Sequence, residues 1–250
     1  KLYAGQFEDV AAKTYGDDQG LSPAMLSRLH AHRGEALIAL GRFEEARSAF
    51  NAADAHAKDT VYSLIGRARL DLMKGQTAAA AQKLDSALIL EPDNAWALSN
   101  LGYFALQRGD GEAAEGAYRR ALTTNPFRPS TLAGLIRAQL TQSKNEAALD
   151  TIKVYRGKWQ AGKAITHLEA LARVQNKQYE QAEALVQALV SVDREDVSAL
   201  QLLAWIQTAT GRPEQALKNW KIVYALRPNA TDVARKLAHA YRVMKFPDKA

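Results

Sequence analysis

A spacing of 34 residues runs through most of this chain and limits the folds open to it. The segment GRFEEARSAF (41–50) is followed 34 residues later by GQTAAAAQKL (75–84), and 34 after that by GDGEAAEGAY (109–118). SKNEAALDTI (143–152), KQYEQAEALV (177–186) and GRPEQALKNW (211–220) continue the series without an insertion. Full units therefore run over 27–60, 61–94, 95–128, 129–162, 163–196 and 197–230. A fixed period of this length marks a stack of small units, each unable to bury its apolar face alone.

Counting from the start of each unit, place 20 is always alanine: Ala46, Ala80, Ala114, Ala148, Ala182 and Ala216. The third unit adds Leu98, Leu101, Gly102, Tyr118, Ala121 and Pro126; the sixth adds Leu200, Leu203, Ala204, Trp220 and Pro228. The first contributes Gly34, Phe50 and Ala53, and the second Leu64, Ala68, Ala87 and Pro92. This period and content resemble the tetratricopeptide repeat family. The resemblance implies two antiparallel helices per unit and an all-α, right-handed superhelical solenoid. The physics agrees with the pattern. Small residues at places 8 and 20 let the two helices approach, and a large residue at 24 fills the gap toward the next unit. Glycine or a polar residue at 15 closes the first helix in a left-handed cap. Proline at 32 stops the second.

Both ends fall inside a unit. GQFEDVAAKTY (5–15) matches a second helix, so residues 1–26 read as the end of a preceding partial repeat plus a loop. TDVARKLAHAYRVMK (231–245) matches a first helix, with Ala250 at place 20, so 231–250 reads as a truncated seventh repeat. The expectation is a piece of a longer chain with further repeats or domains. Lys1 in place of an initiating Met points the same way.

Some units depart from the pattern. Arg67 and Asp71 stand at places 7 and 11 of the second, Glu169 and Arg173 at those of the fifth. Each pair is opposite in charge and four apart, and is expected to close on its own helix. His30 and Arg33 break places 4 and 7 of the first unit. In the fifth, Ile165, Leu168, Leu171 and Val174 are displaced. Repeat drift explains such changes. The alternative is a kink or hinge near 155–175, where YRGKWQAGK carries Gly157 and Gly162.

Composition removes several function classes. The absence of cysteine excludes disulfides, thiolate catalysis and cysteine zinc sites. No apolar run reaches the ~18 residues of a membrane span. His30, His32, His56, His167 and His239 form no ligand spacing, and no phosphate loop or nucleophile elbow occurs. The reading is therefore non-enzymatic, with no catalytic residue, cofactor or metal. Residues 1–128 carry 15 basic and 16 acidic side chains, against 18 and 11 in 129–250. Lys218, Lys221, Arg227, Arg235, Lys236, Arg242, Lys245 and Lys249 make much of that excess. It reads as a solvated helical surface or as a face for an acidic partner. Nucleic acid is disfavoured, because the cations form no stripe with interleaved aromatics.

The resemblance places the first helices along a concave face, with places 2, 5, 6, 9, 12 and 13 toward it. Carried over, this selects Tyr62, Arg69, Trp96, Asn100, Tyr103, Arg137, Trp205 and His239 as partner-binding candidates. Aromatics and arginine dominate binding hot spots. Asn100 is the only asparagine at place 6, so a continuous amide ladder along a peptide backbone is not expected. The Lys–Asn–Asn–Lys–Arg set of chaperone-tail clamps is absent from any three consecutive units. The expected function is a protein or peptide scaffold. The alanine-rich units look like those of bacterial envelope machinery for exopolysaccharide export, pilus assembly or secretion, which favours a periplasmic setting. The alternatives are a polysaccharide-binding groove and a regulatory segment of a larger cytoplasmic enzyme.

Overall fold

Fourteen helices and no strand occur among the residues that the computed structural model describes, which are 2–13, 20–126, 128–158, 160 and 162–244. Residues 16–19 of the first loop, Trp159, and Lys245, Lys249 and Ala250 lie outside that set. The chain divides into two compact units, Lys1–Gly134 and Leu135–Ala250.

In the first unit, α1 (Leu2–Ala12) packs on α2 (Pro23–Ala39). Then α2 pairs with α3 (Phe43–His56), α4 (Val61–Met73) with α5 (Thr77–Leu90), and α6 (Ala95–Gln107) with α7 (Gly111–Thr124). The first helices α2, α4 and α6 also lie side by side. Helix α8 (Pro129–Thr141) crosses the boundary, and the second unit continues with α9 (Asn145–Arg156). There α10 (Lys163–Gln175) pairs with α11 (Tyr179–Val192), α12 (Val197–Ala209) with α13 (Pro213–Leu226), and α13 packs on α14 (Thr231–Val243). The fold is all-α, built from stacked helix pairs.

Local chemistry sets the helix ends. Thr60, Asn94, Asp110 and Asp196 accept first-turn N–H groups on their side chains, opening α4, α6, α7 and α12. The turn inside each pair is left-handed at one residue, with φ 76° at Gly41, 74° at Gly75, 76° at Gly109 and 73° at Gly211. Ser143 and Lys177 occupy the same turn at φ 57° and 59°, where a side chain strains the backbone. Each such turn closes with a backbone bond that reaches five residues back, such as Arg42 N–H to the Leu37 carbonyl at 2.9 Å and Gln178 N–H to that of Arg173 at 2.8 Å.

The core repeats one packing device. The fully buried Phe50 ring lies between Gly34 of its own pair and Gly66 of the next, and Tyr118 lies likewise between Gly102 and Gly134. A Cβ on Gly66 would come 2.1 Å from the Phe50 ring, and one on Gly134 would come 2.3 Å from the Tyr118 ring. Place 6 is therefore a packing position in these pairs. It is also buried as Asn100, Leu168 and Leu202.

One expectation needs correction. Arg67 and Asp71 do not close on each other. The Arg67 guanidinium binds Asp54 at the end of α3, and Asp71 accepts from Lys83 Nζ of α5 at 2.6 Å. Those partners are nearer because α3 and α5 flank α4 on both sides. In the fifth unit the displaced apolar residues leave the first helix in the common register. Helix α10 is regular and buries Ile165, Ala170 and Ala172, matching the places that α12 buries with Ala199, Ala204 and Ile206. Glu169 does bind Arg173, as expected, at 2.8 Å. It also accepts from Arg156 Nε of α9 at 2.8 Å, a bond that ties α9 to α10 across the glycine-bearing stretch.

Candidate functional site

The first unit holds a groove of about 480 Å³ along α2, α4 and α6. Its floor is a file of rings. His32 lies 5.6 Å from Tyr62, and Tyr62 lies 5.6 Å from Trp96, centroid to centroid. The Arg28 guanidinium sits over the outer face of Tyr62 at 5.0 Å. Place 2 of successive pairs supplies Tyr62 and Trp96, so the repeat itself sets their spacing. The Asn94 side chain accepts from the backbone N–H of Trp96 at 3.0 Å, which fixes the first turn of α6 that carries this ring.

Charge lies along one side of this file. Glu35 pairs with Arg69 through Oε2, while its buried Oε1 makes no hydrogen bond among the described residues. Burial is the main influence on Arg69 and lowers its pKa; Tyr103 acts against that, and the like charge of Arg128 adds to it. Burial, and then Arg28, also lower the pKa of His32. Among the described residues Glu35 is the one carboxylate lining the groove, beside Arg69 and Arg128, and with Arg28 over Tyr62 the local charge above the aromatic floor is positive.

Of the residues selected from sequence, Tyr62, Arg69 and Trp96 come together here. Asn100 does not reach the groove. It is buried, and its Nδ2 donates to the Trp96 carbonyl at 2.9 Å, bracing the first turn of α6. Tyr103 is 47% exposed on the same helix. Arg137 is exposed in the second unit. Trp205 and His239 line a separate pocket of about 170 Å³ in that unit, and Trp205 also lies 6.1 Å from Tyr179. Sequence reasoning missed Asn94, Asn125 and Arg128, which lie in the connections between pairs and lie outside the concave-face places. Their signal was weak, since turn polarity is the ordinary reason for such residues.

A family model described as Tetratricopeptide repeat matches residues 65–129 and 167–230, and a second of the same description matches 27–56. Among curated proteins, DnaJ homolog subfamily C member 3 of Gallus gallus is 24% identical over 208 residues, 83% of this chain. The chain spans 37% of that protein's length. Among solved structures, the APC/C hetero-tetramer Cut9–Hcn1 gives a TM-score of 0.77 at 16% identity, over 95% of this chain and 46% of that one. PilF of Pseudomonas aeruginosa gives 0.69 at 16% identity, over 85% and 97%. At these identities the structural likenesses establish the fold.

Proposed function

Because the chain belongs to the tetratricopeptide repeat family, we propose that it is a non-enzymatic scaffold that holds a segment of a partner protein against α2, α4 and α6. The observation that carries this reading is the file His32–Tyr62–Trp96 beside Arg69 and Arg128. Aromatic rings with flanking guanidiniums are the side chains that concentrate binding energy at protein interfaces. The partner segment would lay an apolar or aromatic residue on Tyr62 and Trp96 and turn a carboxylate toward Arg128. A ligand N–H would satisfy the open Glu35 oxygen. The setting in a bacterial envelope assembly rests on the alanine-rich repeats alone.

The test starts with random peptides displayed on phage and selected on the purified chain. Calorimetry then measures the recovered peptides against Tyr62→Ala, Trp96→Ala and Arg69→Ala. Each variant is expected to lose about tenfold or more in affinity. Unchanged affinity in variants with intact helicity removes the groove. Tyr103→Ala and Arg137→Ala test whether those exposed side chains contribute. The ring file also suits a polysaccharide, and binding on a glycan array in place of peptide would favour that second reading.

A further inference from the structure

A different surface, in the second unit, carries chemistry that the groove along α2, α4 and α6 does not use. The hairpin of α13 and α14 with its connection bears Lys218, Lys221, Arg227, Arg235, Lys236 and Arg242, all exposed, against Glu214 and Asp232. Among the described residues none of these six cations forms an ion pair, although Lys221 Nζ lies 5.5 Å from the centre of the Tyr241 ring. Arg235 and Arg242 stand seven residues apart, so they share one face of α14, with His239 between them. Beside that face opens the pocket of about 170 Å³. Trp205, Trp220 and Val243 wall it, while Lys236 and His239 stand at its rim.

The size and walls of the pocket define its occupant. Small-molecule sites run to roughly 300–1,000 Å³, so this one suits a single bulky side chain. Its walls are mostly indole and aliphatic carbon, and Trp205 is 42% exposed at the mouth. An apolar side chain entering there would cover that indole, while acidic neighbours on the same segment met Lys236, Arg235 and Arg242. A nucleic-acid track would present exposed rings interleaved with cations over several phosphates. On α12–α14 the exposed tryptophan and tyrosine rings among the described residues are Trp205 at the pocket mouth and Tyr224 on α13, two single rings and not a series along a run of cations.

We infer that the α12–α14 end of the chain is a second docking site, for an acidic protein segment that anchors one aromatic or branched apolar side chain between Trp205 and Trp220. Its residues are separate from those of the first groove, so either reading can fail alone.

The probe is a fluorescein-labelled peptide of glutamates flanking a central Phe-Leu, followed by anisotropy at near-physiological salt. The same peptide with Ser-Ser at its centre is the comparison. Saturable binding is expected, weakened by about tenfold or more in the Ser-Ser peptide and in Lys236→Glu and Trp205→Ala. The effects of Lys236→Glu and Trp205→Ala should persist in a Tyr62→Ala background, which removes any contribution of the first groove, and far-UV circular dichroism checks that each variant is folded. Arg242→Glu serves as the alternative where Trp205→Ala loses helicity. Equal binding of the two peptides would show bare charge attraction and overturn the anchor. No binding to about 1 mM protein would overturn the site. So would loss of binding in Tyr62→Ala but not in Lys236→Glu, or displacement by single-stranded oligonucleotide or phosphatidylserine vesicles at concentrations where polyglutamate has no effect.

Discussion

Replacing Gly66 by alanine separates helix propensity from the packing device that joins successive pairs. Alanine inside α4 would normally gain about 1 kcal/mol over glycine. Here its Cβ would stand 2.1 Å from two carbons of the Phe50 ring, where ordinary contact is 3.4 Å or more. The ring has little room to yield toward α2, because it already lies so close to Gly34 that a Cβ there would come within 2.6 Å of it. Overpacking of this kind costs about 1–3 kcal/mol, and so tight a contact belongs at the upper end. The expected net change is a loss of about 2 kcal/mol. Phe50→Leu alone opens a void and costs about 1–2 kcal/mol. The double variant should cost clearly less than the sum, with a coupling of at least about 1 kcal/mol, because leucine leaves room for the new methyl group. Gly116→Ala is the control: no atom lies within 4 Å of its Cβ position in α7, so it should stabilise by about 1 kcal/mol. Urea unfolding followed by far-UV circular dichroism and tryptophan fluorescence gives each value. Repeat arrays can unfold in parts, so the first transition is the one to compare. A Gly66→Ala protein as stable as the parent, or strictly additive behaviour with Phe50→Leu, would refute the wedge.

Three further outcomes are expected. Ser143→Gly and Lys177→Gly should each raise stability by about 0.5–1 kcal/mol in the same assay, because their φ of 57° and 59° strains any residue with a side chain; a loss would show that their side chains matter more than the turn. Glu169→Gln should cost about 1–2 kcal/mol, since it weakens the charged bonds from Arg156 and Arg173, and hydrogen exchange should rise first in α9 and the start of α10; unchanged exchange there would count against the tie. Stability should fall as pH drops from about 7 toward 5. Burial first, then His56 and Arg33, depress the pKa of His30, and His32 and His167 are lowered as well. The unfolded chain therefore takes up protons near pH 6.5 while the folded chain resists them, so stability present above that value is lost below it. His30→Gln should flatten this slope in urea midpoints measured at several pH values, and a slope unchanged by it would place the effect elsewhere.

The period, the left-handed turns and the small residues at places 8 and 20 were legible because stacking requires them in every pair. Much less of the site could be read. Place 6 was taken as free, yet the ring at place 24 of the preceding pair reaches across to it, as Phe50 does to Gly66. A pattern built one unit at a time does not contain that contact. The irregular residues show the same thing. Their charges were paired along one helix at a spacing of four, which holds for Glu169 with Arg173, but the structure also pairs them between helices at spacings of 12 and 13. Asp54 with Arg67 joins place 28 of one pair to place 7 of the next, and Arg156 with Glu169 repeats the contact with the charges reversed. Asp71 with Lys83, Gln139 with Thr151 and Gln207 with Asn219 join places 11 and 23 within a pair, at 2.6, 3.0 and 2.8 Å. Each polar residue that breaks the apolar rule in this way has a matching break at the position it touches. A buried polar group left alone costs about 1–3 kcal/mol, so one such change is tolerated only with its partner. Arg67, Asp71 and Glu169 are therefore each met by a polar partner at one of two recurring inter-helix contacts, while Arg173 is met by Glu169 on its own helix. The positive excess of 129–250 lies mostly where, among the described residues, no such contact exists, on the solvent faces of α13, α14 and their connection.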